Sequence, residues 1–250
     1  MTRSHSVEEY VARQPSLAWR RQILRSAIQG ALRLLTRLTV TGAERLPDSG
    51  PTILMMNHLS LLDPVLCMAA VRNRFVIPMT KIETLRSPFV GPFVIWWGAY
   101  TVDRSEIDRK ALTNSIELVK SGQLILIAPE GTRQTQLSEP KDGLAYVATK
   151  ADAVIVPTGI SGTLNWQRPL FTLQRPPLHV NFGPPFKFKT DGRPRVARDD
   201  LHAMSREAMF QLAAAIEDES LRGVYSDLSQ ATTDHLEFID APQPAAQGMD

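Results

Sequence analysis

At 250 residues with 43% hydrophobic content, the chain is long enough for one sizeable core and a single α/β domain. Its 28 Lys and Arg stand against 26 Asp and Glu, a net charge of +2, which excludes nucleic-acid binding by bulk electrostatics. The one cysteine, Cys67, excludes an internal disulfide and a cysteine-based metal cluster, and it fits a reducing compartment. Residues 1–16 are polar and mixed in charge, so no signal peptide is expected there. The longest uncharged run, Ser87 to Val102, is broken by Pro88, Gly91, Pro92 and Gly98. It is also shorter than the roughly 20 apolar residues of a spanning helix. A soluble or surface-bound protein is expected.

Leu17 to Leu38, LAWRRQILRSAIQGALRLLTRL, carries helical periodicity. Leu24, Ile28, Ala31, Leu35 and Leu38 share one face, with Ile23, Ala27 and Leu34 beside it. Arg25, Arg33 and Arg37 lie off that stripe, Arg20 and Arg21 flank Trp19, and no acidic residue occurs. Such a helix can lie in a membrane interface, held by its apolar face and by anionic headgroups. It can also pack on its own domain, and periodicity does not separate the two; the purely arginine complement with a Trp favours membrane contact.

After a short strand and turn at Val40 to Pro51 comes ILMMNHLSLLDP, residues 53–64. Ile53 to Met56 reads as a buried strand, four large apolar residues suiting a sheet covered on both faces. Asp63-Pro64 reads as a helix start, with Asp63 as N-cap and Pro64 at the first helical position. His58 then falls in a loop at the carboxyl end of a strand, where open α/β sheets bind ligands. A nearby carboxylate, Asp63, would fix its tautomer and stabilise the imidazolium. No serine or cysteine nucleophile accompanies the pair in a motif, so His58 would activate a hydroxyl of a substrate. The bland alternative is a packed histidine beside an ordinary Asp-Pro helix start.

Helices are expected over Asp63–Val71, Ser105–Lys120 (opened by a capping box at 105–108), Asp142–Lys150 and Asp199–Ile216. Strands are expected over Phe75–Met79, Tyr100–Val102, Leu124–Ile127, Val154–Val156 (stopped by Pro157) and Leu178–Phe182. Lys81 to Leu85 reads as a short helical turn and Phe89 to Trp97 as an apolar, broken segment. From about Ser226 the chain turns polar and ends APQPAAQGMD, a disordered tail by composition. The expected organisation is an amphipathic, membrane-docking N-terminal helix at 1–39, an α/β domain at 40–225 and a flexible tail at 226–250. Alternating strands and helices imply a mostly parallel central sheet with helices on both faces.

Glu130-Gly131-Thr132-Arg133 directly follows a buried strand. Gly131 lets backbone approach a ligand, Thr132 offers a hydroxyl and Arg133 a fork suited to phosphate. Asp103-Arg104 also ends a strand, although either pair could be an ordinary surface ion pair. The chain has no GxGxxG, GxxxxGK[ST] or GxSxG and no His-rich or Cys/His metal-ligand spacing, so neither a bound cofactor nor a metal is expected.

Asn57-His58-Leu59-Ser60-Leu61-Leu62-Asp63 resembles the HX4D block of the glycerolipid acyltransferases, the 1-acylglycerol-3-phosphate acyltransferase family. Gly98 to Arg104 resembles its second block, Ala128-Pro129-Glu130-Gly131-Thr132-Arg133 its third and Val154-Ile155-Val156-Pro157 its fourth. Lys81 to Leu85 resembles the lysine segment between the first two. Order and spacing agree over roughly residues 40–190. Ala128 replaces the usual aromatic, Gln134 stands where Ser or Thr is common, and Thr158-Gly159 is less apolar than usual. These departures touch acyl-chain and acceptor preference rather than the reaction class.

The resemblance implies acyl transfer from a thioester, carried by coenzyme A or acyl carrier protein, to a hydroxyl of 1-acylglycerol-3-phosphate. Catalysis would fall to His58 and Asp63. Substrate contacts would fall to Asn57, Lys81, Asp103, Arg104, Glu130, Gly131, Thr132, Arg133 and Pro157. Lys81, or a backbone N–H near it, would serve the oxyanion. The acceptor phosphate would fall to Arg133 with Gly131 and Thr132, helped by Arg104. The expected setting is peripheral, on the cytoplasmic face of the cell membrane, without nucleic acid. Alternatives are the same chemistry on glycerol-3-phosphate, lyso-ornithine lipid or another lysolipid, or a non-catalytic lipid-binding protein at the membrane surface.

Overall fold

The computed structural model describes residues 6–88, 90–102, 109–193 and 195–239. A nine-stranded, mostly parallel sheet is built from β1 (Arg37–Thr41), β2 (Thr52–Met56), β3 (Val76–Lys81), β4 (Tyr100–Val102), β5 (Leu124–Ile127), β6 (Val154–Ser161), β7 (Pro177–Phe182), β8 (Phe186–Phe188) and β9 (Leu236–Phe238). The main path runs β1-β7-β6-β2-β5-β3-β4, with β8 beside β6 and β9 beside β8. The helices are α1 (Val7–Ala12), α2 (Gln14–Leu35), α3 (Leu62–Ala70), α4 (Val90–Trp97), α5 (Arg109–Lys120), α6 (Gly143–Ala151), α7 (Gln167–Leu170) and α8 (Arg198–Ala215).

Every residue of β2 is buried, as its unbroken apolar run requires. Its side chains alternate: Ile53 and Met55 enter a core shared with α1, α5, α6 and α8, while Leu54 and Met56 enter one shared with α2, α3 and α4. The expected two-faced cover is therefore present. Because β2, β5, β3 and β4 are parallel, their carboxyl ends lie along one edge of the sheet.

Five sequence expectations are corrected. First, β6 does not stop at Pro157 but runs on to Ser161. The missing proline N–H falls where β6 changes partner, from β8 at Ile155 to β7 from Thr158 onward, so no ladder bond is lost. Second, Phe89 lies outside the described residues, and the segment after it, α4, is an unbroken helix. Pro92 sits in its first turn, where backbone N–H groups have no intrahelical acceptor, and Gly91 admits the Leu85 carbonyl oxygen at 2.4 Å from where a Cβ would stand. Third, Asp63 is not the N-cap; it lies inside the first turn of α3 and turns its carboxylate back on the preceding loop.

Fourth, the polar segment after Ser226 is ordered as far as residue 239. Glu207 on α8 accepts from Thr232 Oγ1 at 2.9 Å, Asp234 N at 3.1 Å and His235 N at 2.9 Å, and so pins β9 to the sheet edge. A single buried carboxylate thus does what the tail's composition does not suggest. Residues 240–250 and the capping box at 105–108 lie outside the described residues.

The fifth correction concerns α2. α2 ends at Leu35, which leaves Leu38 in β1, and the expected stripe divides: Ala31 and Leu35 are exposed, while Leu24 and Ile28, with Leu32, join the core beneath α2. Two arginines go in with it. Arg21 donates to the carbonyls of Trp97 at 2.7 Å and Gly98 at 3.1 Å, at the end of α4. Arg25 donates to Val71, Arg72 and Arg74 after α3, and its guanidinium stacks over Phe75. Cations at helix C-termini satisfy leftover carbonyls and oppose the dipole, which offsets their burial. Facing solvent is the neighbouring row, with Trp19 56%, Ile23 51% and Leu34 74% exposed.

Candidate active site

His58 stands two residues past β2, and its Nδ1 lies 3.1 Å from Asp63 Oδ2. Asp63 is fully buried, while the His58 side chain keeps 20% exposure. The same Oδ2 accepts the backbone N–H groups of Leu59 and Ser60, each at 2.6 Å, and Oδ1 accepts Ser60 Oγ at 3.3 Å. One carboxylate therefore shapes the whole loop and aims the imidazole. Beneath it, Asn57 Nδ2 donates to the Ile160 carbonyl at 2.9 Å, and Ile160 N donates to Asn57 Oδ1 at 2.8 Å. Both ends of the buried amide are thereby used. Asn57 positions the end of β2 against β6.

β5 lies beside β2 with Ile127 opposite Met55, so the loop after β5 rises next to His58. Gln134 N donates to the His58 carbonyl at 2.9 Å, joining the two loops. Glu130 is buried; its Oε1 accepts Ser138 N at 3.0 Å and its Oε2 has no partner. Burial raises the Glu130 pKa, opposed by the Ser138 and His58 backbone amides and by the charge of a protonated His58 ring.

Gly131 adopts φ of +73°, which favours glycine, while Thr132 and Arg133 are exposed. The Lys141 side chain lies over this turn, its Nζ 3.3 Å from the Cβ position that Gly131 lacks, and Lys141 N donates to the Pro129 carbonyl at 2.9 Å. Lys141 is the functional candidate the sequence reading missed. It stands ten residues beyond Gly131, and only the chain's return brings its cation there.

Lys81 closes β3 at the same sheet edge, one strand beyond β5; its side chain falls outside what is described. Asp103 and Arg104 lie outside the described residues. Pro157 is buried in mid-strand, where its ring packs near Gly183. Among the described residues no group of three or more His, Cys, Asp or Glu is placed to hold a metal ion.

Fold and site together define an open α/β protein with a histidine–carboxylate pair at the carboxyl edge of its sheet. Residues 37–161 match the family model described as Acyltransferase, and the chain belongs to that family. The 1-acyl-sn-glycerol-3-phosphate acyltransferase of Borreliella burgdorferi is 32% identical over 134 residues, covering 52% of this chain and 53% of that protein. The Streptococcus pneumoniae protein of the same name is 25% identical over 171 residues, 68% of this chain and 59% of its own length. The chain thus spans about half the length of the curated relatives it matches. The crystal structure of the 1-acyl-sn-glycerophosphate (LPA) acyltransferase PlsC from Thermotoga maritima has this fold, with a TM-score of 0.59 over 81% of each chain at 22% identity.

Proposed function

We propose that this chain transfers a fatty acyl group from an acyl thioester to the free hydroxyl of 1-acylglycerol-3-phosphate, giving phosphatidic acid for phospholipid biosynthesis. The observation that carries the reading is the 3.1 Å contact from His58 Nδ1 to the buried Asp63. With Nδ1–H donated to that carboxylate, Nε2 keeps its lone pair for the acceptor hydroxyl. As the hydroxyl oxygen bonds to the thioester carbon, its proton passes to Nε2 and the carbonyl oxygen gains charge. Lys81, or a backbone N–H near it, holds that oxyanion. Collapse breaks the carbon–sulfur bond, and the thiolate leaves with the proton from His58. No acyl-enzyme is needed, since Ser60 Oγ is engaged with Asp63 and Leu62 N and Cys67 is buried.

Arg133, Gly131 and Thr132 hold the acceptor phosphate, joined by Lys141 and, from the second block, by Arg104 beside Asp103. Glu130 offers its unpartnered Oε2 to a glycerol hydroxyl. We place the chain peripherally on the cytoplasmic face of the membrane, resting on the outward row Trp19, Ile23 and Leu34 of α2. Among the described residues no helix is long and apolar enough to cross a bilayer.

The test is thiol release from acyl-coenzyme A and from acyl-acyl carrier protein across a panel of acceptors: lysophosphatidic acid, glycerol-3-phosphate and lyso-ornithine lipid. Release that depends on lysophosphatidic acid and vanishes in His58→Ala supports the reading. Release with another acceptor alone keeps the chemistry and changes the substrate. No release with any acceptor, from protein that still floats on vesicles, replaces the enzyme with a lipid-binding protein.

A further inference from the structure

The segment between β6 and β7 carries an apolar tip that no other described residue covers. Phe171 is 86% exposed and Leu173 is 95% exposed. Leu173 also holds φ of +56°, a left-handed conformation that a leucine seldom adopts. Bare apolar side chains on a strained turn are costly in water and mark a contact surface.

Topology fixes where this tip stands. β6 is the immediate neighbour of β2, and Ile160, two residues before the segment begins at Gly162, is gripped by Asn57 next to His58. The segment therefore leaves from the rim that carries the candidate site. β1 is parallel to β7, which is antiparallel to β6, so β1 starts, and α2 ends, at this same edge. Arg175 makes the join: its guanidinium donates to the carbonyls of Thr36, at 3.1 Å from Nε, and of Arg33 at the end of α2. Arg37 N donates to the Pro176 carbonyl at 2.9 Å. Trp166 packs into the core and anchors the base of the segment, leaving Phe171 and Leu173 beyond it.

Charge selects the occupant. No Asp or Glu occurs between Asp152 and Asp191, nor between Glu9 and Glu44, so both the segment and α2 are free of acidic residues along their whole length. Arg168 lies on the segment, Arg33 sits in the last turn of α2 where Leu34 is exposed, and Arg37 opens β1 just beyond. An aromatic and an aliphatic side chain at a convex tip, set among arginines, match an anionic bilayer surface better than a protein groove.

We infer that residues 164–173 form a second membrane-inserting element, a lipid-facing lip that sets the rim bearing His58 against the bilayer. This rests on the membrane-surface reading above but assigns it to an element outside the N-terminal helices. The lip and the outward row of α2 give two separated contacts, which fix the tilt of the molecule as one helix does not. An acceptor lipid then reaches the His58 rim without leaving the surface entirely.

The experiment uses the full chain and vesicles of phosphatidylcholine with phosphatidylglycerol. Co-flotation is measured for wild type, for the pair Phe171→Ser with Leu173→Ser, and for the pair Trp19→Ser with Ile23→Ser. The lip pair is expected to partition about tenfold less than wild type with an unchanged melting temperature. Because Cys67 is fully buried, Leu173→Cys presents one accessible thiol for an environment-sensitive fluorophore, expected to shift blue on adding vesicles. If wild type floats and the lip pair floats equally with the label unmoved, the lip is refuted while the α2 contact stands. If wild type does not float at all, the membrane reading falls and the lip with it. A shift produced without lipid, by raising protein concentration or adding an acyl carrier protein, overturns the lip in favour of a protein partner.

Discussion

Asn57 and Ile160 complete each other: the amide of one takes both backbone hydrogen-bonding groups of the other, at 2.9 and 2.8 Å, across 103 residues of sequence. This replaces two rungs of a β-ladder at the point where β2 gives way to the His58 loop. Asn57→Asp keeps the acceptor and loses the donor, leaving the Ile160 carbonyl unpaired in the core. The expected cost is about 1–3 kcal/mol, with turnover falling alongside, read from denaturant midpoint and thiol release in the same samples.

His58→Ala and Asp63→Asn separate catalysis from architecture. Among the described residues the His58 side chain bonds only to Asp63, so its removal is expected to abolish thiol release and leave the melting temperature within a few degrees. Asp63 also holds the amides of Leu59 and Ser60. Asp63→Asn is therefore expected to lower turnover by orders of magnitude and to cost stability of about 1–3 kcal/mol as well. A variant at 63 that loses both in strict proportion would reduce the carboxylate to a loop clamp.

Arg133→Ala and Lys141→Ala are expected to raise KM for an anionic acceptor with kcat little changed, since neither cation touches the proton-transfer pair. The effect should shrink as salt rises, because both side chains are exposed. Steady-state kinetics at two ionic strengths checks it.

Two buried glutamates give opposite pH responses. The Glu130 pKa is raised, chiefly by burial, so the folded state holds its proton longer than the unfolded one. Between the two pKa values stability then falls as pH rises, and Glu130→Gln should flatten that decline. Burial pushes Glu207 up too, but the His235 amide and ring and the Thr232 hydroxyl outweigh it, leaving its pKa lowered. Its contribution is full above the ordinary carboxylate pKa and lost as pH falls through the lowered value. Hydrogen exchange across 232–238 should accelerate first on acidification, and Glu207→Gln should exchange fast at every pH.

Gly223 and Gly192 make a matched pair. Both hold positive φ, +53° and +71°, but a Cβ on Gly223 would meet the Leu137 carbonyl oxygen at 2.1 Å while one on Gly192 meets nothing within 4 Å. Gly192→Ala should cost about 1 kcal/mol, the left-handed penalty alone. Gly223→Ala must also displace Leu137, whose N–H donates to Leu221 at 2.8 Å and which sits in the loop that reaches His58 through Gln134. It should therefore lose both more stability and turnover, read from melting temperature and thiol release.

Much of the molecule was decided by local pattern. Unbroken apolar runs such as Ile53 to Met56 and Leu124 to Ile127 can only be buried strands, and their alternation with helical periods dictates a covered, mostly parallel sheet. The spacing of His58 and Asp63 allowed their meeting but also a packed histidine beside an ordinary helix start, and the 3.1 Å contact decided between them. Tertiary structure alone decided the rest. Which face of α2 turns inward depended on the α3 and α4 carbonyls that Arg21 and Arg25 reach, and periodicity carries no record of them. Asn57 became a splint, Lys141 came to lie over the Gly131 turn and Glu207 captured the tail because their partners lie 10 to 103 residues away, which hydrophobic pattern does not record. The exposed Phe171 and Leu173 look like core residues in sequence; only the order of the strands puts them at the rim of the site.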